Sequence, residues 1–502
     1  MERMSAQDAS FLHIEDGNNP MHVGSVAVFE GPAPSYGDFV RAVADKLPLV
    51  PRYRQRVRFV PGGMGRPVWV DDPNFQILYH IRHTAVPRPG GREQLRNLAG
   101  RVFAQLLDRN KPLWEIWLVE GLENDRWAMV SKIHHCMVDG VSATDILTVL
   151  LDRSPDAAPS STLPSWSPGA EPGDARLFAS ALVDAVTQPI EVLRALPAAA
   201  RSTLRAGIPA RDAVNLIASA RLLRQRTVAS LNGPIGPHRR WSWAEARLDD
   251  IKTIRAALGG TVNDVVLATI TAGFRSLLLA RGEKLDGKVV RTLVPVSVRS
   301  EAERGIYNNR VAGVFPGLPV SIADPVERLT EIRSQMDGLK QSKQAVAGDA
   351  LVRLSGFAPP MLLALGARLG SGFEQNLVQT VTTNVPGPQY PIFAAGRRML
   401  YTYPYVPIAG TVRIGIAIFS YLGEMFYGIT GDYDSTPDIE LLRRGIEDGV
   451  AELLALAQLG NGAVSRAAVP PPREEARDRA AGASSREPAG SRRRAAPDSS
   501  RR

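Results

Sequence analysis

A chain of 502 residues, 44% apolar and 22% charged, has globular composition, which excludes a wholly disordered, collagen-like or disulfide-dense protein. At roughly 100 to 200 residues per domain it is too long for one ordinary core, so two or more domains are expected, with room for a deep site between them. The net charge of +9 invites a nucleic-acid reading, but the tail from Arg466 to Arg502 holds ten Arg against five acidic residues and carries +5 of that charge, leaving the body nearly balanced.

The opening residues, Met-Glu-Arg-Met-Ser-Ala-Gln-Asp, lack the charged-then-apolar layout of a secretory signal, and the single cysteine, Cys136, has no intrachain partner. Both point to a cytoplasmic protein. No uncharged stretch is expected to satisfy the roughly 18-residue criterion for a transmembrane helix, so any membrane contact is expected to be peripheral.

Residues 1–152 alternate short apolar runs with helical patterns: Val23–Phe29, Ile77–Ile81 and Trp127–Ile133 are the strand-like runs, in a mixed α/β domain. Residues 153–239 follow as a connector. Its first part carries Pro155, Pro159, Pro164, Pro168 and Pro172, and its second is Ala/Leu/Arg-rich with helical spacing broken at Pro189, Pro197 and Pro209. The segment 194–226 has seven Arg and one acid, Asp212, which fits solvated helices bridging two domains or a basic face lying on a membrane. A second α/β region, 240–463, has strand-like runs at Val289–Val296, Val311–Phe315 and Ile414–Phe419. The tail, 464–502, is rich in Ala, Pro, Gly, Ser and Arg and buries too little apolar surface to offset its ordering entropy.

The chemistry concentrates in Ser131-Lys-Ile-His-His-Cys-Met-Val-Asp-Gly-Val-Ser-Ala-Thr-Asp145. A strand leads to His134 and His135, and Ser142 with Asp145 has capping-box spacing before a helix, so the histidines fall at a strand-to-helix turn. Adjacent residues of a strand point to opposite sides, so one histidine faces a cleft and the other is structural. Histidine suits proton removal from a hydroxyl because its ordinary pKa, about 6.5, is near working pH. Asp139 is either the carboxylate partner of that base or an ion-pair partner of an Arg holding the turn, with Gly140 permitting a tight backbone. Cys136, next to His135 in the strand, points away from it and is disfavoured as a nucleophile.

His134-His135-Cys-Met-Val-Asp139-Gly140 resembles the HHxxxDG motif of acyl-CoA-dependent acyltransferases, and its surroundings are similar to the bacterial wax ester synthase/diacylglycerol acyltransferase family. Asp8-Ala-Ser-Phe-Leu, Pro20-Met-His-Val-Gly24, Pro112-Leu-Trp-Glu115, Leu231-Asn-Gly-Pro-Ile-Gly236, Gly259-Gly-Thr-Val-Asn-Asp264, Pro295-Val-Ser-Val-Arg299, Asn308-Asn-Arg310 and Thr383-Asn-Val-Pro-Gly-Pro388 also match it. The resemblance implies an α/β fold of two chloramphenicol-acetyltransferase-like domains joined by a helical linker, with the active-site tunnel at their interface. It implies His135 as general base, His134 as its support and a mainly structural Asp139 paired with an Arg, for which Arg299 is the candidate. Asn263 and Asp264 stand beside the active site in the family. Read from the residues alone, Asn263 is a natural cap of the following helix and Asp264 favours its dipole. Trp114 is expected to fill core space.

The resemblance further implies a substrate pair, long-chain acyl-CoA with diacylglycerol or a long-chain alcohol. No cofactor, metal or specific nucleic acid is implied, and contact with the inner membrane face or lipid inclusions is expected to be peripheral. Two rivals carry the same features differently: a condensation-type enzyme taking acyl groups from a carrier protein, and a non-catalytic lipid-binding protein. Other signals fall away on chemistry. Gly282-Glu-Lys-Leu-Asp-Gly-Lys288 has Walker A spacing, but Val289 replaces the magnesium-binding Ser/Thr. His80-Ile-Arg-His83 has no further ligand spacing for zinc.

Overall fold

The computed structural model describes residues 2–63, 65–138, 150–156, 166–183, 226–297, 311–341 and 378–467. Two large sheets organise them. The first is six-stranded, in the order Phe393–Ala394, Arg397–Tyr405, His22–Phe29, Arg126–His134, Trp114–Leu122 and Ile81–Ala85. The second runs Val311–Val314, Lys288–Ser297, Thr380–Val385, Ile414–Tyr421, Glu424–Asp432 and Arg239–Arg247, with Gly317–Leu318 and Arg226–Thr227 also pairing with Lys288–Ser297. Five of the apolar runs read from the sequence lie in these strands.

Ile77–Ile81 behaves differently. Residues Ile77–His80 form a helical turn, and the strand begins only at Ile81. Gln76 caps that turn through its side chain, and His80 is buried between the rings of Phe75 and Trp114, so local capping and aromatic packing override the strand-like composition.

The two sheets do not divide the chain cleanly. The strand Arg397–Tyr405, from the region expected in the second domain, pairs antiparallel with His22–Phe29 in the first sheet, in a register running from Met399 opposite Phe29 to Tyr405 opposite Gly24. The crossing passes close over the second sheet at Gly428, where a Cβ would stand 1.6 Å from the Pro404 carbonyl oxygen. Only a residue without a side chain fits there. Trp241, Trp243, Tyr421 and Phe426 from the second half join the same apolar core as Phe103, Trp114 and Trp127.

The second core surrounds the helix Val262–Ala280, which packs along Ile439–Ala467. Contrary to the sequence-based expectation, this 19-residue helix is long and apolar enough to cross a membrane by length and composition. Val265, Leu267, Ile270, Phe274 and Leu277 are nevertheless wholly buried in the protein, which accounts for its apolar character as core packing.

Candidate active site

The strand Arg126–His134 lies inside the first sheet between His22–Phe29 and Trp114–Leu122, and every residue after Arg126 is buried. Burial on both faces is why the run Trp127–Ile133 is almost continuously apolar. Its end is fixed by two neighbours: the His134 amide donates to the Leu113 carbonyl at 2.9 Å, and the His135 amide to the Met21 carbonyl at 2.8 Å. The chain then leaves the sheet in a 3₁₀ turn, His135–Met137, closed by the Val138 amide on the His135 carbonyl.

The two rings face different surroundings, His134 closing the strand and His135 opening the 3₁₀ turn. His134 is wholly buried. Its Nδ1 accepts the Cys136 backbone N–H at 3.1 Å, so the ring proton belongs on Nε2, which lies 3.4 Å from Glu15 Oε1. His135 instead stacks on Phe11, with centroids 3.9 Å apart and planes at 26°, and retains partial solvent exposure. Burial of the ring holds His135 down at about 4, so at neutral pH it is an uncharged base.

Both contacts come from one helix. Ala6–Ile14 is capped by Ser5, whose side chain accepts the Asp8 amide at 3.1 Å, and ends at Glu15, whose amide donates to the Phe11 carbonyl. Phe11 and Glu15 are four residues apart and so share a helix face. Glu15 is almost fully buried. Its Oε2 accepts Arg109 Nε at 3.0 Å and lies 2.9 Å from Nη2 in the same ion pair, and its Oε1 accepts the Met21 amide at 3.2 Å. Burial alone would raise this carboxyl, but His134, the Met21 amide and Arg109 together outweigh it and hold the group below its ordinary value. Arg109 also donates to the Leu12 and Glu15 carbonyls, closing the helix end.

Cys136 is buried, and its thiol is pushed well above the usual range, first by burial and then by Asp8 and Glu15. It is not a thiolate nucleophile in this setting. Trp114 is enclosed between Tyr53 and His80 and donates its indole N–H to the Tyr53 carbonyl at 2.8 Å, in agreement with a packing role.

Asn263 and Asp264 stand at the start of the helix Val262–Ala280, with one correction to the capping expected from the sequence. The cap is Thr261, not Asn263. Thr261 Oγ1 accepts the Asp264 amide at 3.2 Å and Asp264 Oδ2 accepts the Thr261 amide at 2.8 Å, a reciprocal box that Asn263 at the second helical position cannot form. Asn263 Oδ1 accepts Asn384 Nδ2 at 3.4 Å, which joins two of the sequence motifs across the second half. Asp139, Gly140 and Arg299, with Ser142 and Asp145, lie outside the described residues.

Residues 4–266 match the family model described as the wax ester synthase/diacylglycerol acyltransferase catalytic domain, and residues 307–454 that of the WS/DGAT C-terminal domain. The chain belongs to the wax ester synthase/diacylglycerol acyltransferase family. A relative from Mycobacterium tuberculosis, named probable diacylglycerol O-acyltransferase tgs1, is 38% identical over 465 residues, covering 91% of this chain and 97% of the relative. Another from the same organism, the putative diacylglycerol O-acyltransferase Rv3371, is 32% identical over 91% of this chain and 92% of its own. Among solved structures, the wax ester synthase/diacylglycerol acyltransferase of Marinobacter aquaeolei superposes with a TM-score of 0.62 at 25% identity, covering 91% of this chain and all of that one. The first condensation domain of the CDA synthetase shares the fold, with a TM-score of 0.55 at 15% identity, covering 91% of this chain and 96% of that one.

For a family member with this site, three residues that sequence reasoning passed over matter most: Phe11, Glu15 and Arg109. Phe11 lies in a segment quoted only as a motif. The spacing of Phe11 and Glu15 on one helix was a usable signal, whereas Arg109, distant in sequence, left none.

Proposed function

We propose that this acyltransferase moves a long-chain acyl group from acyl-CoA to the free hydroxyl of diacylglycerol, with long-chain alcohols as secondary acceptors, using His135 as general base. The observation that carries the reading is a partly exposed, uncharged imidazole stacked on Phe11 while its neighbour is tied to a buried carboxylate. His135 takes the acceptor's hydroxyl proton as the oxygen attacks the thioester carbonyl. The tetrahedral intermediate then expels the coenzyme A sulfur, which recovers the proton from the imidazolium, leaving ester, thiol and neutral histidine. No acyl-enzyme forms, and acyl-CoA enters as a substrate rather than a resident cofactor.

Family membership and the named relatives support the donor and acceptor. In this reading His134 supports the base, and Asp139 with Gly140 shapes the turn beyond it, with Arg299 as the ion-pair partner of Asp139. Asn263 and Asp264 belong to the facing wall of an acyl tunnel between the two halves. The protein works in the cytoplasm at a lipid surface that supplies diacylglycerol, through peripheral contact.

The test is to give purified wild type and His135→Ala radiolabelled palmitoyl-CoA with dioleoylglycerol or hexadecanol, and to resolve the neutral lipids. Triacylglycerol from wild type, with a loss of roughly 10²- to 10⁴-fold in the variant, is expected. Undiminished product from His135→Ala refutes the assignment of the base, and no product from wild type with either acceptor refutes the substrate pair.

A further inference from the structure

A groove of about 840 Å³ opens between the helix Arg92–Ala104 of the first half and the strand Arg239–Arg247 with the start of the helix Ile439–Ala467 of the second. Its lining is cationic. Arg96, Arg101, Arg239 and Arg240 face it against two carboxylates, Glu93 and Glu440, and Glu440 is already engaged by Arg96, Arg443 and Ser242. Among the described residues no carboxylate pairs with Arg101 or Arg240. Arg101 is exposed, while Arg240 lies over the Tyr433 ring at 4.1 Å and donates Nε to the Tyr433 carbonyl at 2.8 Å, leaving its terminal nitrogens available. His238 meets the same tyrosine edge-on and lines the same groove.

The groove is tied to the histidine end of the first sheet. Arg239 is buried and donates to the Asn18 carbonyl, and three residues on, Met21 receives the His135 amide. Three residues of chain span at most roughly 10 Å. Ala104 of the groove wall follows Phe103, whose carbonyl holds His22 Nε2 at 2.8 Å, and His22 lies opposite His134 in the sheet.

We propose that this groove binds the phosphates of the coenzyme A donor, with Arg101 and Arg240 as the ligands that reach them. The inference rests on the acyl-CoA reading above. Forked guanidiniums are the side chains best matched to phosphate, and the exposed Tyr433 and His238 rings offer aromatic surface for a nucleotide base. Because the pantetheine arm separates the phosphates from the thioester, the anion site belongs at the mouth of the site rather than against His135.

The test compares two donors in wild type, Arg101→Glu and Arg240→Glu: palmitoyl-CoA and palmitoyl-pantetheine, which has the same thioester and no phosphate. The ratio of their KM values is expected to shift about tenfold or more against palmitoyl-CoA in each variant, the scale of one charge-assisted hydrogen bond. An unchanged ratio overturns the proposal. Calorimetric titration with free coenzyme A separates this question from turnover. Binding by wild type that is lost in Arg101→Glu supports the groove even if no acyl transfer is found. Equal binding by both proteins, or none by wild type, overturns it even if transfer is robust. Vesicles of phosphatidylglycerol form the last arm: variants that lose vesicle binding while keeping their coenzyme A affinity assign the groove to lipid headgroups and overturn the donor assignment.

Discussion

Replacing Glu15 by Gln keeps the shape of the side chain and removes the charge on which His134 and Arg109 converge. Removing one partner of a buried ion pair costs about 3–5 kcal/mol. Arg109 keeps 36% of its side chain exposed, so water screens part of its loss, and a destabilisation of about 2 kcal/mol is the expected residue. At roughly 2–4 °C per kcal/mol this lowers Tm by roughly 4–8 °C. The catalytic effect is separate. His134 and His135 are adjacent, and a small rotation of the first carries the second off its acceptor, so kcat is expected to fall roughly 10- to 100-fold with KM for palmitoyl-CoA little changed. The stability effect also has a sign in pH. The Glu15 carboxyl is held below its ordinary value of 4.5 in the folded protein, so its contribution is fully present above that pH and is lost as pH falls through the folded-state value. The Tm difference between wild type and Glu15→Gln is therefore expected to be constant near neutrality and to close in acid. Thermal denaturation across pH, read beside steady-state kinetics, checks both parts. A folded Glu15→Gln with wild-type kcat refutes the positioning role, and a Tm difference that persists unchanged at low pH refutes the electrostatic one.

His135 held at about 4 predicts that kcat/KM stays level from neutrality down to about pH 5 and falls only in stronger acid; an acid limb centred near 6.5 contradicts it. Phe11→Ala removes the ring that covers this imidazole, so its acid limb is expected to move upward toward the ordinary histidine value. Cys136→Ala is expected to keep activity within about threefold, and the native thiol to resist iodoacetamide, because burial keeps it protonated; rapid alkylation coupled to inactivation shows the opposite. Gly428→Val places a side chain where even a Cβ meets Pro404 at 1.6 Å, so loss of soluble protein or a Tm drop beyond 10 °C, at roughly 2–4 °C per kcal/mol, is expected on expression.

What the sequence made legible was what is local. Alternating or continuous apolar runs marked Val23–Phe29, Trp127–Ile133 and Ile414–Phe419 because side-chain period and burial are properties of neighbouring residues. The same logic separated His134 from His135, since adjacent residues at a strand end face apart. Thr261 was equally readable, because Thr-x-x-Asp is a capping box, but the Asn-Asp pair placed the cap two residues too late. Ile77–His80 misled because β-branched and aromatic content does not decide between a strand and a single helical turn. Glu15 with Arg109, and Arg397–Tyr405 in the first sheet, are contacts between segments far apart in the chain, and no local pattern encodes which distant partner a side chain or a strand edge will find.

That last pairing has a consequence for how the protein is made. Until Arg397–Tyr405 is synthesised, His22–Phe29 lacks one of its two neighbours and presents unpaired backbone groups one strand away from the histidines. Some 370 residues separate the two strands, so at ~5–20 residues per second a ribosome leaves that edge open for tens of seconds. A fragment ending near residue 152 inherits the same open edge permanently and is a poor candidate for a minimal enzyme. A chaperone that shields a β-edge, or co-expression of a segment spanning 378–467, is the natural remedy when the amino-terminal half is produced alone.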